Sequence, residues 1–506
     1  MSSQRPRIAT FLALQALWLG LVVASSGAQQ ADVPTSSLEP CRLHGVGEEI
    51  LCGTLEVFED REGRQGRTIE LSIAVFPALA TDPEPDPLFF LAGGPGQSAI
   101  GVSRGAAGLF RKIRENRDLV FVDQRGTGES HSLQCPEDLI DEEQRESLEL
   151  FPGDDLSPNL RRDVMAKLLT RCQQRRDADL RLYTTPIAMD DLDEVRAALG
   201  YGRINLYGGS YGTRAALVYM RRHPDSTRAV ILDGAAPPSI RLPAFMAPDA
   251  QRALDRLFAD CAASAECAEA FPELAADLDA VLAELEAAPS RIKTRHPISG
   301  EDLELTITRD LFSGMLRNIL YSPQLASLAP LIVTQAGEGR YDAFLALSLG
   351  LSGRSETGLS LGMMLSVLCA EDIPYVERAS AEAAASESFL GSMLLAQFGG
   401  ACEDWPVGDL PAHYWDPVES AIPTLVLSGD LDPVTPPRWG AEVAATLSNS
   451  LHLVAQGVGH GVISGACVPG LAADFIEAAS IDGLDASCLE RLRRPPFFLS
   501  TAGTSP

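Results

Sequence analysis

Hydrophobic positions along the chain fall into successive patterns. "TIELSIAVF" (68–76) alternates Ile69, Leu71, Ile73 and Val75 with more polar neighbours, the period of two of a half-exposed strand. "GTLEVF" (53–58), across the charged, glycine-containing turn 59–67, is the expected antiparallel partner. Short, nearly unbroken apolar runs follow: LFFLA (88–92), DLVFVD (118–123), INLY (204–207), AVILD (229–233), PTLVLSG (423–429) and LHLVA (451–455). Continuous hydrophobicity of that length marks strands buried on both faces of a parallel sheet. Helical patterns lie between several of them. "TPIAMDDLDEVRAALG" offers Thr185 as a cap, Pro186 in the first turn and Gly200 as the stop. The alternation predicts an α/β fold, a mostly parallel central sheet flanked by helices.

The rhythm breaks between about residues 239 and 422, where the strand signal nearly vanishes. Helical stretches replace it, such as the one in which Leu274, Leu278, Val281, Leu282 and Leu285 share a face. A large inserted helical cap (239–422) is therefore expected between a first core segment (40–238) and a second (423–492). The Gly/Ser-rich stretch 348–364 reads as a loop within the cap, and 493–506 as an exposed tail.

Composition adds a compartment. Arg5 and Arg7 precede an apolar run from Ile8 to Ala24 and the small residues Ser26, Gly27 and Ala28. That order predicts a secretory signal peptide over 1–28. A retained anchor is the alternative, for which the run is slightly short. No later segment is long enough to cross a bilayer, so no stable membrane insertion is expected. All ten cysteines follow the expected cut; in an exported chain, periplasmic or extracellular, an even count reads as disulfides. Pairing sequence neighbours gives 41–52, 135–172, 261–267, 369–402 and 467–488. No paired C-x-x-C spacing exists, which disfavours a zinc site, and no cofactor loop is evident. The net charge of −28 repels phosphate backbones and argues against a nucleic-acid partner. Solubility explains the charge, with a mild preference for cationic ligands as the other reading.

The chemistry concentrates where the 204–207 strand meets the next helix. Gly208-Gly209-Ser210-Tyr211-Gly212 fits a G-x-S-x-G turn in the strand–helix context that gives the motif meaning. Such a turn lifts the Ser210 hydroxyl to a helix N-terminus, and a serine nucleophile needs a base held by an acid. In sheets with this elbow the order is Ser, acid, His. His460, in the glycine-flanked loop "GVGHG", is the expected base in preference to His452 inside a strand. Asp432, deeper in "LSGDLDPVTPP" and stiffened by Pro433, is the expected acid in preference to Asp430. Oxyanion donors are expected from the N–H of Tyr211 and from Gly94, or Gly93, in "LFFLAGGPGQS", since Pro95 has none.

Gly-Gly-Pro-Gly (93–96), Asp-Gln-Arg-Gly-Thr-Gly-Glu-Ser (123–130), Gly-Gly-Ser-Tyr-Gly-Thr (208–213), Gly-Asp-Leu-Asp-Pro-Val-Thr-Pro (429–436) and Gly-His-Gly (459–461) together resemble the α/β-hydrolase peptidases. Within them the chain is similar to the proline iminopeptidase and secreted tripeptidyl aminopeptidase group. Ala92 stands where small proline iminopeptidases carry His, which favours the tripeptidyl-type relatives. The resemblance implies release of residues from a peptide's free N-terminus beneath a helical cap. Asp123 and Arg125 read as a structural pair shaping the loop above the sheet. Carboxylates in the cap would attract the substrate ammonium; Glu371, Asp372, Glu403 and Asp404 are the candidates, gathered if Cys369 pairs with Cys402. A carboxylesterase on the same core, or a catalytically silent binding scaffold, are the rivals.

Overall fold

The computed structural model describes residues 38–135, 169–170, 172–174, 177–295, 300, 302–352 and 359–504. The expected signal peptide, and 353–358 of the expected cap loop, lie outside them.

Strands β1 (Glu39–Cys41), β2 (Ile50–Phe58), β3 (Thr68–Phe76), β4 (Leu88–Leu91), β5 (Leu119–Val122), β6 (Ile204–Gly209), β7 (Thr227–Asp233), β10 (Thr424–Gly429) and β11 (Ser450–Ala455) form one nine-stranded sheet. Its order is β1-β2-β3-β5-β4-β6-β7-β10-β11. The first three strands run antiparallel up to the β3–β5 pair, and every pair after it is parallel. The six continuous apolar runs all enter the sheet. β5 and β10 are buried along their whole length, as strands covered on both faces must be. On one face Val120, Leu206 and Val426 pack beneath helices Thr185–Ala198 and Tyr211–Arg222. On the other, Phe121, Tyr207 and Leu427 pack against helices Ala99–Leu109 and Val468–Ala478.

Between β7 and β10 the chain is mostly helical and builds a core of its own around Leu254, Leu278, Phe312 and Phe344. Each such side chain contributes roughly 1.5–3 kcal/mol by leaving water. A hairpin of β8 (Ser290–Arg295) and β9 (Asp302–Ile307) also lies in this interval. β8 reads SRIKTR and stays half-exposed, so it lacks the apolar run that signals a buried strand. The stretch 348–364 also departs from expectation. Helix Asp342–Ser352 runs into it, and helix Leu361–Glu371 begins in it under the Ser360 hydroxyl, which accepts the Met363 N–H. All five disulfides join sequence neighbours: 41–52, 135–172, 261–267, 369–402 and 467–488. Among the described residues no helix is long and apolar enough to cross a membrane.

The C-terminal segment is packed through residue 499 and exposed at 500–502. Arg494 pairs with Asp260 at 3.0 Å, and Phe497 is buried in the insert's core. The Phe498 N–H donates to the Ser327 carbonyl before the short hairpin of β12 (Phe498–Ser500) and β13 (Gly503–Thr504). Burial of Phe497, the Arg494–Asp260 pair and the backbone bonds of the segment act together against the entropy of ordering it. Phe497→Ala is expected to lower unfolding stability by about 3 kcal/mol, read from the urea midpoint. A change within about 0.5 kcal/mol, normal for a surface site, would mean that the segment is not docked.

Candidate active site

β6 delivers Ser210 onto helix Tyr211–Arg222 in a left-handed backbone conformation, φ 56° and ψ −124°. A non-glycine residue held there stores roughly 1–3 kcal/mol of strain, so its surroundings must fix it. They do so by close approach. A Cβ at Gly212 would stand 2.1 Å from the Leu91 carbonyl oxygen of β4, and one at Gly208 would stand 2.3 Å from the Gly212 oxygen. Only glycine lets the helix start this close to the sheet. The Ser210 N–H donates to the Asp233 carbonyl at 2.9 Å. Its half-buried hydroxyl makes no hydrogen bond among the described residues.

The loops after β10 and β11 bring Asp432 and His460 together, with 2.8 Å between Asp432 Oδ2 and His460 Nδ1. Asp432 is buried; its Oδ1 accepts the N–H groups of Val434 and Thr435, each at 2.8 Å, and its Oδ2 accepts the Thr435 hydroxyl at 2.8 Å. Burial alone would raise this carboxyl, but the His460 charge and those hydrogen bonds hold it below its usual value. Burial would lower the imidazole; Asp432, and then Asp233, more than offset that, while Arg317 pulls the other way. The net direction for His460 is upward. With Nδ1 committed to Asp432, Nε2 is the nitrogen left to exchange a proton.

Asp233, at the end of β7, is a residue the motif reading missed. Its carboxylate accepts the Val462 N–H at 2.8 Å, the Ile463 N–H at 2.9 Å and the Tyr207 hydroxyl at 2.9 Å. The same residue therefore seats Ser210 through its carbonyl and the His460 loop through its side chain. Gly234, next in the chain, lies against the imidazole: a Cβ there would be 3.3 Å from His460 Cε1. A sequence signal existed, since "AVILD" ends on this Asp beside the serine-bearing strand. Tyr321, from the insert, had no such signal. Its carbonyl accepts the His460 N–H at 3.0 Å, and its ring meets the imidazole edge-on, 5.2 Å between centroids.

The turn after β4 lies beside the serine, where a Cβ at Gly93 would be 3.3 Å from Ser210 Cβ. The Gly93 N–H is already given to Gln97 Oε1 at 3.2 Å. The N–H groups of Gly94 and Tyr211 have no partner among the described residues. Two open donors thus lie on the segments next to Ser210.

The four acids separate into two pairs. Glu371 and Asp372 are fully buried, with partners supplied by the fold itself: Arg214 of the elbow helix donates to Asp372 at 2.9 and 3.0 Å, and the Thr185 N–H to Glu371 at 2.7 Å. Tyr414 also donates to Glu371, and Thr185 Oγ1 lies 2.8 Å from it and 2.6 Å from the Tyr211 hydroxyl. Neither acid is open to a ligand. Glu403 and Asp404 are exposed, and the Cys369–Cys402 bond ties both pairs into one neighbourhood. Asp123 and Arg125 do not pair with each other. Asp123 accepts from Ser98 and the Ile100 N–H at a helix start, and Arg125 forks onto Asp191. His452 bonds Ser428 within the sheet, and Asp430 accepts the Gly457 N–H. Among the described residues no cluster of His, Cys, Asp and Glu could hold a metal.

Comparison with known proteins follows the same lines. A family model described as alpha/beta hydrolase fold matches residues 86–270, and one described as TAP-like protein matches 387–488. Serine protease Hip1 of Mycobacterium tuberculosis is 28% identical over 448 residues, spanning 84% of this chain and 85% of its own. Tripeptidyl aminopeptidase of Streptomyces lividans is 27% identical over 227 residues, 44% of this chain and 41% of its own. Proline iminopeptidase of Neisseria gonorrhoeae is 28% identical over 155 residues, 30% of this chain and 34% of its own.

The electrostatics have a direct readout. In NMR of histidine-labelled protein, His460 is expected to titrate above the 6.5 of an ordinary imidazole. Asp233→Asn removes one of the negative charges favouring imidazolium, so the midpoint should move down. A midpoint at or below 6.5, or none of the expected movement in Asp233→Asn, would contradict the assignment.

Proposed function

Starting from the α/β-hydrolase that this chain is, similar to serine peptidases, we propose an exported enzyme that removes residues from the free N-terminus of short peptides through an acyl-enzyme. The observation that carries this reading is the Asp432–His460 bond, closed beside a strained serine with two unpaired N–H groups next to it. Five disulfides support an oxidising compartment, and the names of the relatives support a peptide substrate.

In the proposed reaction Ser210 Oγ attacks the scissile carbonyl carbon and gives its proton to His460 Nε2. Negative charge on the carbonyl oxygen is met by the N–H groups of Gly94 and Tyr211. Asp432 stabilises the imidazolium and fixes its tautomer. The C–N bond then breaks as His460 returns the proton to the leaving amine. Water, deprotonated by His460, attacks the ester, and release of the carboxylic acid restores Ser210. Residues of this chain supply every proton transfer. Recognition of the substrate ammonium falls to Glu403 and Asp404, because Glu371 and Asp372 are occupied by Arg214.

Mass analysis of products from free-amine and N-acetylated peptides, alongside acyl esters, tests the reading. Free-amine peptides should be shortened from the N-terminus, and N-acetylation should suppress cleavage. Ser210→Ala should lower kcat/KM by roughly 10⁴–10⁶-fold without loss of fold. Glu403→Gln combined with Asp404→Asn should raise KM for free-amine peptides and spare N-blocked esters. Faster turnover of acyl esters than of any peptide would replace the peptidase with an esterase.

A further inference from the structure

Among the described residues Arg317 is a cation beside His460 with no ion-pair partner. It lies on cap helix Arg309–Ile319, four residues before Tyr321, the residue that covers His460. Its guanidinium carbon sits 5.3 Å from the Tyr321 ring centroid, and Nη2 donates to the Tyr321 hydroxyl at 3.0 Å. Its Nε is buried and has no hydrogen-bond partner. Among the described residues no carboxylate lies within ion-pair distance of it, in a chain of 69 acids and 41 bases. Arg214 and Arg252 share the unpartnered Nε, but the ends of their guanidinium groups are taken up by the fold, as is that of Arg438. Arg252 donates to the Asp430 and Asp432 carbonyls, Arg214 to Asp372, and Arg438 to Asp249. Arg317 is also close enough to His460 for its charge to oppose those of Asp432 and Asp233 there. A guanidinium presents five donors in a rigid fork that matches a carboxylate. Here most of that fork is unused.

The chemistry of acyl transfer says what occupies this side. The imidazole hands its proton to the leaving amine, so the leaving fragment lies next to His460. If that fragment is one or two residues long, its terminal carboxylate falls within roughly 4–8 Å of the leaving nitrogen. We propose that Arg317 binds the C-terminal carboxylate of the leaving fragment, which makes short peptides with both termini free the preferred substrates. The proposal rests on the peptidase reading and adds a second end to what the site recognises. The acyl side meets the ammonium, and the leaving side meets the carboxylate.

A matched set of substrates separates the two claims: one tetrapeptide as free acid, the same tetrapeptide as C-terminal amide, and an aminoacyl-arylamide whose leaving group has no carboxylate. Wild-type enzyme should prefer acid over amide by about ten- to a hundredfold in kcat/KM, mostly through KM. Arg317→Met should bring that ratio close to one, and Arg317→Lys should retain part of it, which distinguishes a lost fork from a lost fold. Because removing the cation also raises the imidazole, the ratio is taken within each enzyme, at a pH above the acid limb of both. A wild-type ratio near one, or a ratio unchanged in Arg317→Met, overturns the assignment. So does a preference that follows an acidic side chain at the first leaving position while ignoring the terminus. Arylamide turnover with a ratio near one sinks this proposal alone; failure to cleave any of the three sinks the peptidase reading with it.

Discussion

A buried carboxylate that keeps its charge is the constraint on which the site depends. Asp432 sits out of water, where an unpaired charge would neutralise itself. It stays ionised because two backbone N–H groups, one hydroxyl and the His460 ring all point at it. Those donors come from the loop that also carries Pro433 and from the loop after β11, so the charge fixes the loops as much as the loops fix the charge. Asp233, on the neighbouring strand, accepts two N–H groups and a phenol, but there burial prevails and its carboxyl lies above its ordinary value. β7 thus ends in one carboxylate and the loop after its parallel neighbour β10 carries another, and both hold the histidine loop. The imidazole between them is more basic than usual, a direction that suits the proposed proton transfer from Ser210.

The insert is joined to this machinery from below and from above. Below, Arg214 on the elbow helix meets Glu371 and Asp372 at the end of cap helix Leu361–Glu371, and Thr185 links that cluster to the Tyr211 hydroxyl. Buried clusters of this kind add little net stability, yet losing one member costs about 3–5 kcal/mol. Their effect is to hold the cap at one position relative to Ser210. Above, Tyr321 lies on His460 and brings Arg317 with it. The insert therefore supplies part of the wall around the site.

Much of this was legible in the sequence. Six uninterrupted apolar runs reported their own burial, and the elbow glycines reported a contact too tight for a Cβ. Neighbouring cysteines also paired, as plain adjacency along the chain suggested. Other features lacked a local signal. β8 alternates charged residues on a half-exposed hairpin, and 348–364 hid helices behind glycine and serine, although Ser360 caps one of them. The tail hid Phe497 behind its prolines. The acidic dipeptide at 371–372 looked like a ligand for a cation, and it is one, but the cation is Arg214 of the same chain. Short-range pattern gives elements and turns, while the identity of a buried charge's partner is a long-range fact.

The central claim is that Ser210 is the nucleophile activated by this histidine. Reaction of the folded protein with a fluorophosphonate, followed by peptide mass mapping, tests it most directly. One adduct per chain on Ser210 is expected, with labelling slowed strongly in His460→Ala and in Asp432→Asn. An unlabelled protein, or an adduct on another residue at the same rate in those variants, would contradict it.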